Sequence, residues 1–166
     1  MRKNKIRILP LLLAACLLFG TAATAMDTGR YKVICKGITL VGYTKYRSKA
    51  GSNRVRHLGS APEYLCCSSF VSWCYTKSKI RRMDYSTWDF CHSKKFAKIS
   101  ARKLKPGDIG LIHDTQRTGN HVAIYIGRRA GERLWLHCTG HAGRNGVVIS
   151  TDGRLKVYYR YRGFKD

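Results

Sequence analysis

The stretch YLCCSSFVSWCY, Tyr64–Tyr75, decides how the rest of the chain is read. Two adjacent cysteines and two serines lead into an apolar stripe, with Cys67, Phe70, Val71 and Cys74 at i, i+3, i+4 and i+7. That spacing is one face of an α-helix, with Ser68, Ser69, Ser72 and Thr76 on its other sides. Small polar residues cap free backbone N–H groups, so the predicted helix starts near Cys66–Ser68. A cysteine there lies at the positive pole of the helix dipole, which favours thiolate over thiol. The position suits a nucleophile. The competing reading is packing, since a cysteine on an apolar helix face is commonly a small buried hydrophobe. Cys74 is read that way.

Upstream, Arg2, Lys3, Lys5 and Arg7 precede the apolar run Ile8 to Phe19, and Ala23-Thr24-Ala25 forms an A-x-A site. This pattern predicts an export signal over residues 1–25, leaving a single domain over 26–166 with no transmembrane span. A rival reading takes Leu13-Ala14-Ala15-Cys16 as a lipobox, with Cys16 lipidated as a membrane anchor. The protein is expected to be secreted or associated with the cell wall. Lys32 to Tyr43 reads as a first helix, Thr44 to Ser60 as a long basic polar loop, and Tyr85 to Ala97 as a short helix.

Downstream the texture changes. Lys105-Pro106-Gly107-Asp108 is a turn, and short strands follow over Ile109–Ile112, His121–Gly127, Arg133–Thr139, Val147–Ser150 and Lys156–Arg162. Val122, Ile124 and Ile126 alternate with His121, Ala123 and Tyr125, the period of a strand. Helices first and strands after predict an α+β fold with an antiparallel meander of about five strands. A hairpin closed around Arg129 would set His121 directly opposite His137, with Cβ atoms about 5 Å apart on one face.

Such a pair has a chemical use. A cysteine attacking an amide needs a base to take its proton and later protonate the leaving amine, and that base needs an orienting group. His121 beside Cys67, with His137 behind it, would supply both, and the Cys67 N–H at the helix start would face a tetrahedral oxyanion. The bland alternative is one core and one surface histidine.

The chain of 166 residues carries a formal charge of +23, and removing the four basic residues of the first 25 leaves +19. A field of that strength favours an anionic partner such as a wall polymer or lipid, or else merely keeps the protein soluble. Nucleic acid is set aside, because no recognition motif accompanies the charge. Six cysteines remain past the signal: Cys35, Cys66, Cys67, Cys74, Cys91 and Cys138. An even count in an exported chain admits disulfides. A cysteine–histidine metal cluster lacks the usual ligand spacing, so neither metal nor cofactor is assigned.

CSSFV at Cys67–Val71, LKPGDIG at Leu104–Gly110, NHVAIYIG at Asn120–Gly127 and LHC followed by GVV together resemble the NlpC/P60 family. The likeness runs over roughly Lys32 to Arg162. It implies a papain-like cysteine peptidase, acting as a monomer without metal or cofactor on peptidoglycan stem peptides, commonly between D-Glu and the following diamino acid. It maps the nucleophile to Cys67, the base to His121 and the orienting residue to His137. Tyr46, Cys66 and Ser68 become the candidate substrate-contacting positions, Tyr46 as the tyrosine that in relatives assists the oxyanion. Cys66 stands where the family usually has Asp, which in some members helps hold the free amine of the stem peptide, and Ser69 replaces the usual Gly. Two other functions stay open at this point: an N-acetylmuramoyl-L-alanine amidase on a related fold, and a catalytically silent wall-binding protein.

Overall fold

The computed structural model describes residues 27–48, 61–118 and 120–165. The predicted signal and Cys16 lie outside the described residues, as do residues 49–60 of the predicted basic loop.

The first helix, α1 (Thr28–Ile38), starts and ends earlier than expected because Asp27 caps it, its carboxylate accepting the Gly29 N–H at 3.2 Å. Its buried face includes Arg30, Val33, Ile34 and Gly37. At Gly37 the helix touches its neighbours so closely that a Cβ would lie 2.6 Å from Leu136 Cδ2 and 3.0 Å from Phe70 Cζ. Two short strands follow, β1 (Lys45–Tyr46) and β2 (Tyr64–Leu65), paired in parallel with Tyr46 beside Leu65. This pairing, absent from the predicted loop, carries Tyr46 to the start of α2 (Cys67–Lys77).

The stripe on α2 is buried as its spacing requires, but Ser72, Trp73 and Tyr75 are buried as well. A helix covered on every side is the centre of a core rather than an amphipathic surface element. Ser72 is tolerated inside because its hydroxyl accepts the Tyr85 N–H at 3.0 Å and donates to the Tyr85 carbonyl at 3.3 Å. The next helix, α3 (Thr87–His92), is capped reciprocally by Ser86 and Asp89. It is the short helix expected within Tyr85–Ala97, and past it the chain turns into β3 (Phe96–Ile99). Phe96 is drawn into a ring cluster with Tyr75, Phe90 and Tyr161, partners distant in sequence.

The remaining strands are β4 (Ile109–Leu111), β5 (Val122–Arg129), β6 (Glu132–Thr139), β7 (Gly146–Thr151) and β8 (Val157–Tyr161). With β3 they form one six-stranded antiparallel sheet in the order β3-β8-β4-β5-β6-β7. The α+β order and the antiparallel sheet are as expected, with six strands where about five were predicted. Strands β4, β5, β6 and β7 follow one another, and β8 returns to lie between β3 and β4. Val122, Ile124, Leu136 and Cys138 face the core built around α2, while Ala123, Tyr125 and Trp135 pack with Leu155 and Tyr158 on the opposite face.

The LKPGDIG motif now has a physical reason. Asp108 is fully buried, and its carboxylate accepts from Arg30 Nη1 at 2.8 Å, Arg160 Nε at 2.9 Å and Nη2 at 2.7 Å, and the Lys105 N–H at 2.8 Å. One carboxylate therefore ties α1 and β8 to the start of β4. Among the described residues no helix is long and apolar enough to cross a membrane.

Candidate active site

The histidines meet, though not by the predicted register. The β5–β6 turn falls at Ala130 and Gly131, both at positive φ (49° and 80°), and a bulge between Tyr125 and Gly127 shifts the pairing. Ile124 faces Leu136, where a hairpin around Arg129 would have set it against Leu134. A slip of two residues preserves the face on which each side chain lies. The two rings thus remain on one side and meet diagonally instead of head-on. His121 Nε2 lies 2.8 Å from His137 Nδ1, and His137 Nε2 lies 2.8 Å from Ser150 Oγ. Ser150 reaches His137 in the same diagonal way, because the residue directly across from His137 on β7 is Val148.

Both imidazoles are nearly buried, and burial lowers their pKa values, His121 to about 4 and His137 to about 3. The Asp152 carboxylate opposes both shifts, and Arg154 reinforces them. Asp152 is held to Arg154 by a two-pronged ion pair, Nε to Oδ1 at 2.9 Å and Nη2 to Oδ2 at 2.6 Å. The Asp152 carboxyl stays at about 2 despite partial burial because the Arg154 guanidinium and backbone N–H hold it ionised.

Cys67 opens α2 as predicted, and the backbone N–H of Val122, directly after His121, faces its sulfur. The two adjacent thiols are coupled, and their pKa values move in opposite directions. A hydrogen bond from the Cys67 thiol lowers Cys66 to about 4, helped by the Ser68 and Ser69 hydroxyls. That same bond, together with burial, pushes Cys67 upward. Cys66 occupies the helix-capping position. Ser69 completes the cap, its hydroxyl accepting the Cys66 N–H at 2.9 Å.

Of the predicted substrate contacts, Ser68 lies against Cys66, its Oγ 3.4 Å from Cys66 Sγ. The Tyr46 phenol is half-buried, and burial together with Cys67, Cys66 and Cys138 raises its pKa. Gly140 makes room for that ring, since a Cβ there would stand 2.6 Å from Tyr46 Cδ1. Tyr46 and His121 share a cleft of about 270 Å³ with Asn120, Gly140, His141 and Arg154.

Ser150, Asp152 and Arg154 were not legible as site residues in the sequence. Asp152-Gly153 is a recognisable turn signal, but nothing local shows that this turn closes onto two histidines. All six described cysteines are free thiols. His121, His137 and Asp152 bring ligand-type atoms within 4.8 Å of one another and are the described trio able to hold a metal ion. In this arrangement each already has a hydrogen-bonding partner: the rings each other, His137 also Ser150, and Asp152 the Arg154 guanidinium. The geometry is that of a proton relay.

No curated protein matches this chain in sequence. The solved structure of Rv1477, a hypothetical invasion protein of Mycobacterium tuberculosis, is similar in fold, with a TM-score of 0.53 at 18% identity. The alignment covers 83% of this chain and 63% of that one, so the chain spans less than two thirds of its neighbour. The model of the NlpC/P60 family matches residues 35–160, a span that holds the paired cysteines, both histidines and Asp152. By that match the chain belongs to the NlpC/P60 family, whose members are in general cysteine peptidases of the cell wall.

Proposed function

We propose that this protein is an exported peptidoglycan endopeptidase that cuts the stem peptide between D-Glu and the following diamino acid, with Cys67 as nucleophile, His121 as base and His137 as its orienting partner. The observation that carries the reading is the hydrogen-bonded chain His121 Nε2···His137 Nδ1 and His137 Nε2···Ser150 Oγ, both at 2.8 Å. A neutral His121 that donates from Nε2 has its Nδ1 lone pair free as a base, and a neutral His137 that accepts at Nδ1 donates from Nε2 to Ser150. The opposite pair of tautomers satisfies the same two bonds, but this pair is the one that leaves His121 Nδ1 free as a base.

The pKa directions support activation at the moment of attack rather than a standing thiolate–imidazolium pair. Cys67 rests as a thiol and both imidazoles rest neutral. For attack the Cys67 thiol turns from Cys66 to His121, and its proton passes to His121 Nδ1 as sulfur adds to the scissile carbonyl. The developing oxyanion is placed to accept from the Cys67 backbone N–H and the Tyr46 hydroxyl, each such donor being worth on the order of 100-fold in turnover. His121 then protonates the leaving amine, and water, deprotonated by the same nitrogen, releases the acyl group from sulfur. The net charge of +19 left once the four basic residues of the first 25 are removed from +23 supports docking of the protein on anionic wall polymers.

The test is Cys67→Ala assayed on purified peptidoglycan. Release of stem-peptide fragments should fall by at least ~1,000-fold, as for loss of a nucleophile, while the circular dichroism spectrum is unchanged. Undiminished hydrolysis by the variant would remove the proposal. Mass spectra of the wild-type products should show cleavage after D-Glu. Intact stem peptides freed from the glycan would identify an amidase instead.

A further inference from the structure

Arg154 has one edge of its guanidinium fixed and the other open. Nε and Nη2 are clamped to Asp152 at 2.9 and 2.6 Å, and the Arg154 backbone N–H donates to Asp152 Oδ1 at 3.1 Å. Asp152 is itself nearly buried, 8% exposed against 39% for Arg154, so the clamp sets the direction of the arginine rather than the reverse. Among the described residues Nη1 has no hydrogen-bond partner. Arg154 also borders both the 270 Å³ cleft that contains His121 and a second cavity of about 190 Å³ beside Arg144.

No aspartate or glutamate lines the His121 cleft. Asn120, the amide that does, is already occupied: its Oδ1 accepts the backbone N–H groups of Ile112, His113 and His121, and its Nδ2 donates to the His113 carbonyl. A permanently charged, pre-oriented fork beside the base, with no carboxylate opposing it from inside the cleft, matches the geometry of a carboxylate ligand.

We infer that Arg154 is a specificity-determining residue that receives, through its open guanidinium edge, a free carboxylate on the substrate residue contributing the scissile carbonyl. This rests on the cleft being a peptidase site. A γ-linked D-Glu residue presents such a group, because its side-chain carboxyl forms the scissile amide and its α-carboxylate stays free.

The experiment compares two peptides, L-Ala-γ-D-Glu-diamino acid and the same peptide with that α-carboxylate converted to a carboxamide. Wild type should favour the carboxylate by ~10-fold or more in kcat/KM, mainly through KM, as expected for a charge-assisted hydrogen bond. Arg154→Gln should cut that ratio to within about twofold, and Arg154→Lys should fall between the two. The ratio is read within one enzyme, so general damage to the site does not imitate the result. A carboxylate preference that persists in Arg154→Gln, or is missing from wild type, overturns the assignment. Failure of wild type to cleave either peptide overturns the peptidase reading first, and the subsite with it.

Discussion

Mild acid should unfold this protein earlier than its carboxylates alone would allow. His121 and His137 are 8% and 2% exposed, and burial holds them at about 4 and about 3, below the ordinary 6.5. A histidine whose folded pKa is depressed binds fewer protons in the native state than in the unfolded chain, so stability is lost as pH falls through 6.5 toward the folded values. At pH 5 each ring costs about 2 kcal/mol relative to pH 7, roughly 4 kcal/mol for the pair, against a typical total of about 5–15 kcal/mol. Asp152, at about 2, acts in the same direction but only at lower pH, outside that window. Urea unfolding followed by circular dichroism at pH 7, 6 and 5 should show the midpoint dropping by roughly 2 M, taking a slope near 2 kcal/mol per molar. In the double variant His121→Gln/His137→Gln the drop should largely vanish. A wild-type midpoint that stays flat across the range, or a double variant that loses as much as wild type, would refute the reasoning.

Further outcomes concern the floor of the site, the buried ion cluster and the surface charge. Gly140→Ala should displace the Tyr46 ring, whose Cδ1 would stand 2.6 Å from the new Cβ, and lower stem-peptide turnover by ~10-fold or more. If that ring is the route, adding Gly140→Ala to Tyr46→Phe should cost little more than Tyr46→Phe alone, and fully additive losses would mean another route. Asp108→Asn leaves the Arg30 and Arg160 guanidinium groups without their carboxylate and should cost about 3–5 kcal/mol, visible as a large fall in melting temperature. Retention on isolated wall should weaken steeply between low and molar salt, and retention unchanged at 1 M would mean the basic charge plays no part in docking.

What could be read from the chain alone followed from local patterns. The i, i+3, i+4, i+7 spacing located α2 and Cys67 at its start, and period-two alternation assigned the faces of β5 correctly. The histidine pair was reachable because a two-residue register error leaves the face unchanged; an error of one residue would have separated the rings. The bulge at Gly127 and the Ala130–Gly131 turn that set the actual register depend on backbone choices that hydrophobic patterning does not encode. Pairings between distant segments escaped for the same reason. β1 and β2 are two residues each, β3 exists because β8 returns to it, and Ser150, Asp152 and Arg154 matter only once β7 lies beside β6. The partition of charge between Cys66 and Cys67 depends on which thiol donates to which, a matter of side-chain geometry.

The place of β8 has a consequence for biogenesis. Five residues, Val157–Tyr161, synthesised after every other strand, fill a gap in the interior of the sheet rather than extend its rim. Until they emerge from the ribosome, β3 and β4 have open edges and no partner to bridge them, and Asp108 lacks the second of its arginines. Nascent chains should therefore stay loose until β8 has been made and then condense in a single step, slow for their size because the joining contacts span long stretches of polypeptide. Clipping this segment would split the sheet, so a stop codon shortly before Val157 should yield insoluble product rather than a weakened enzyme.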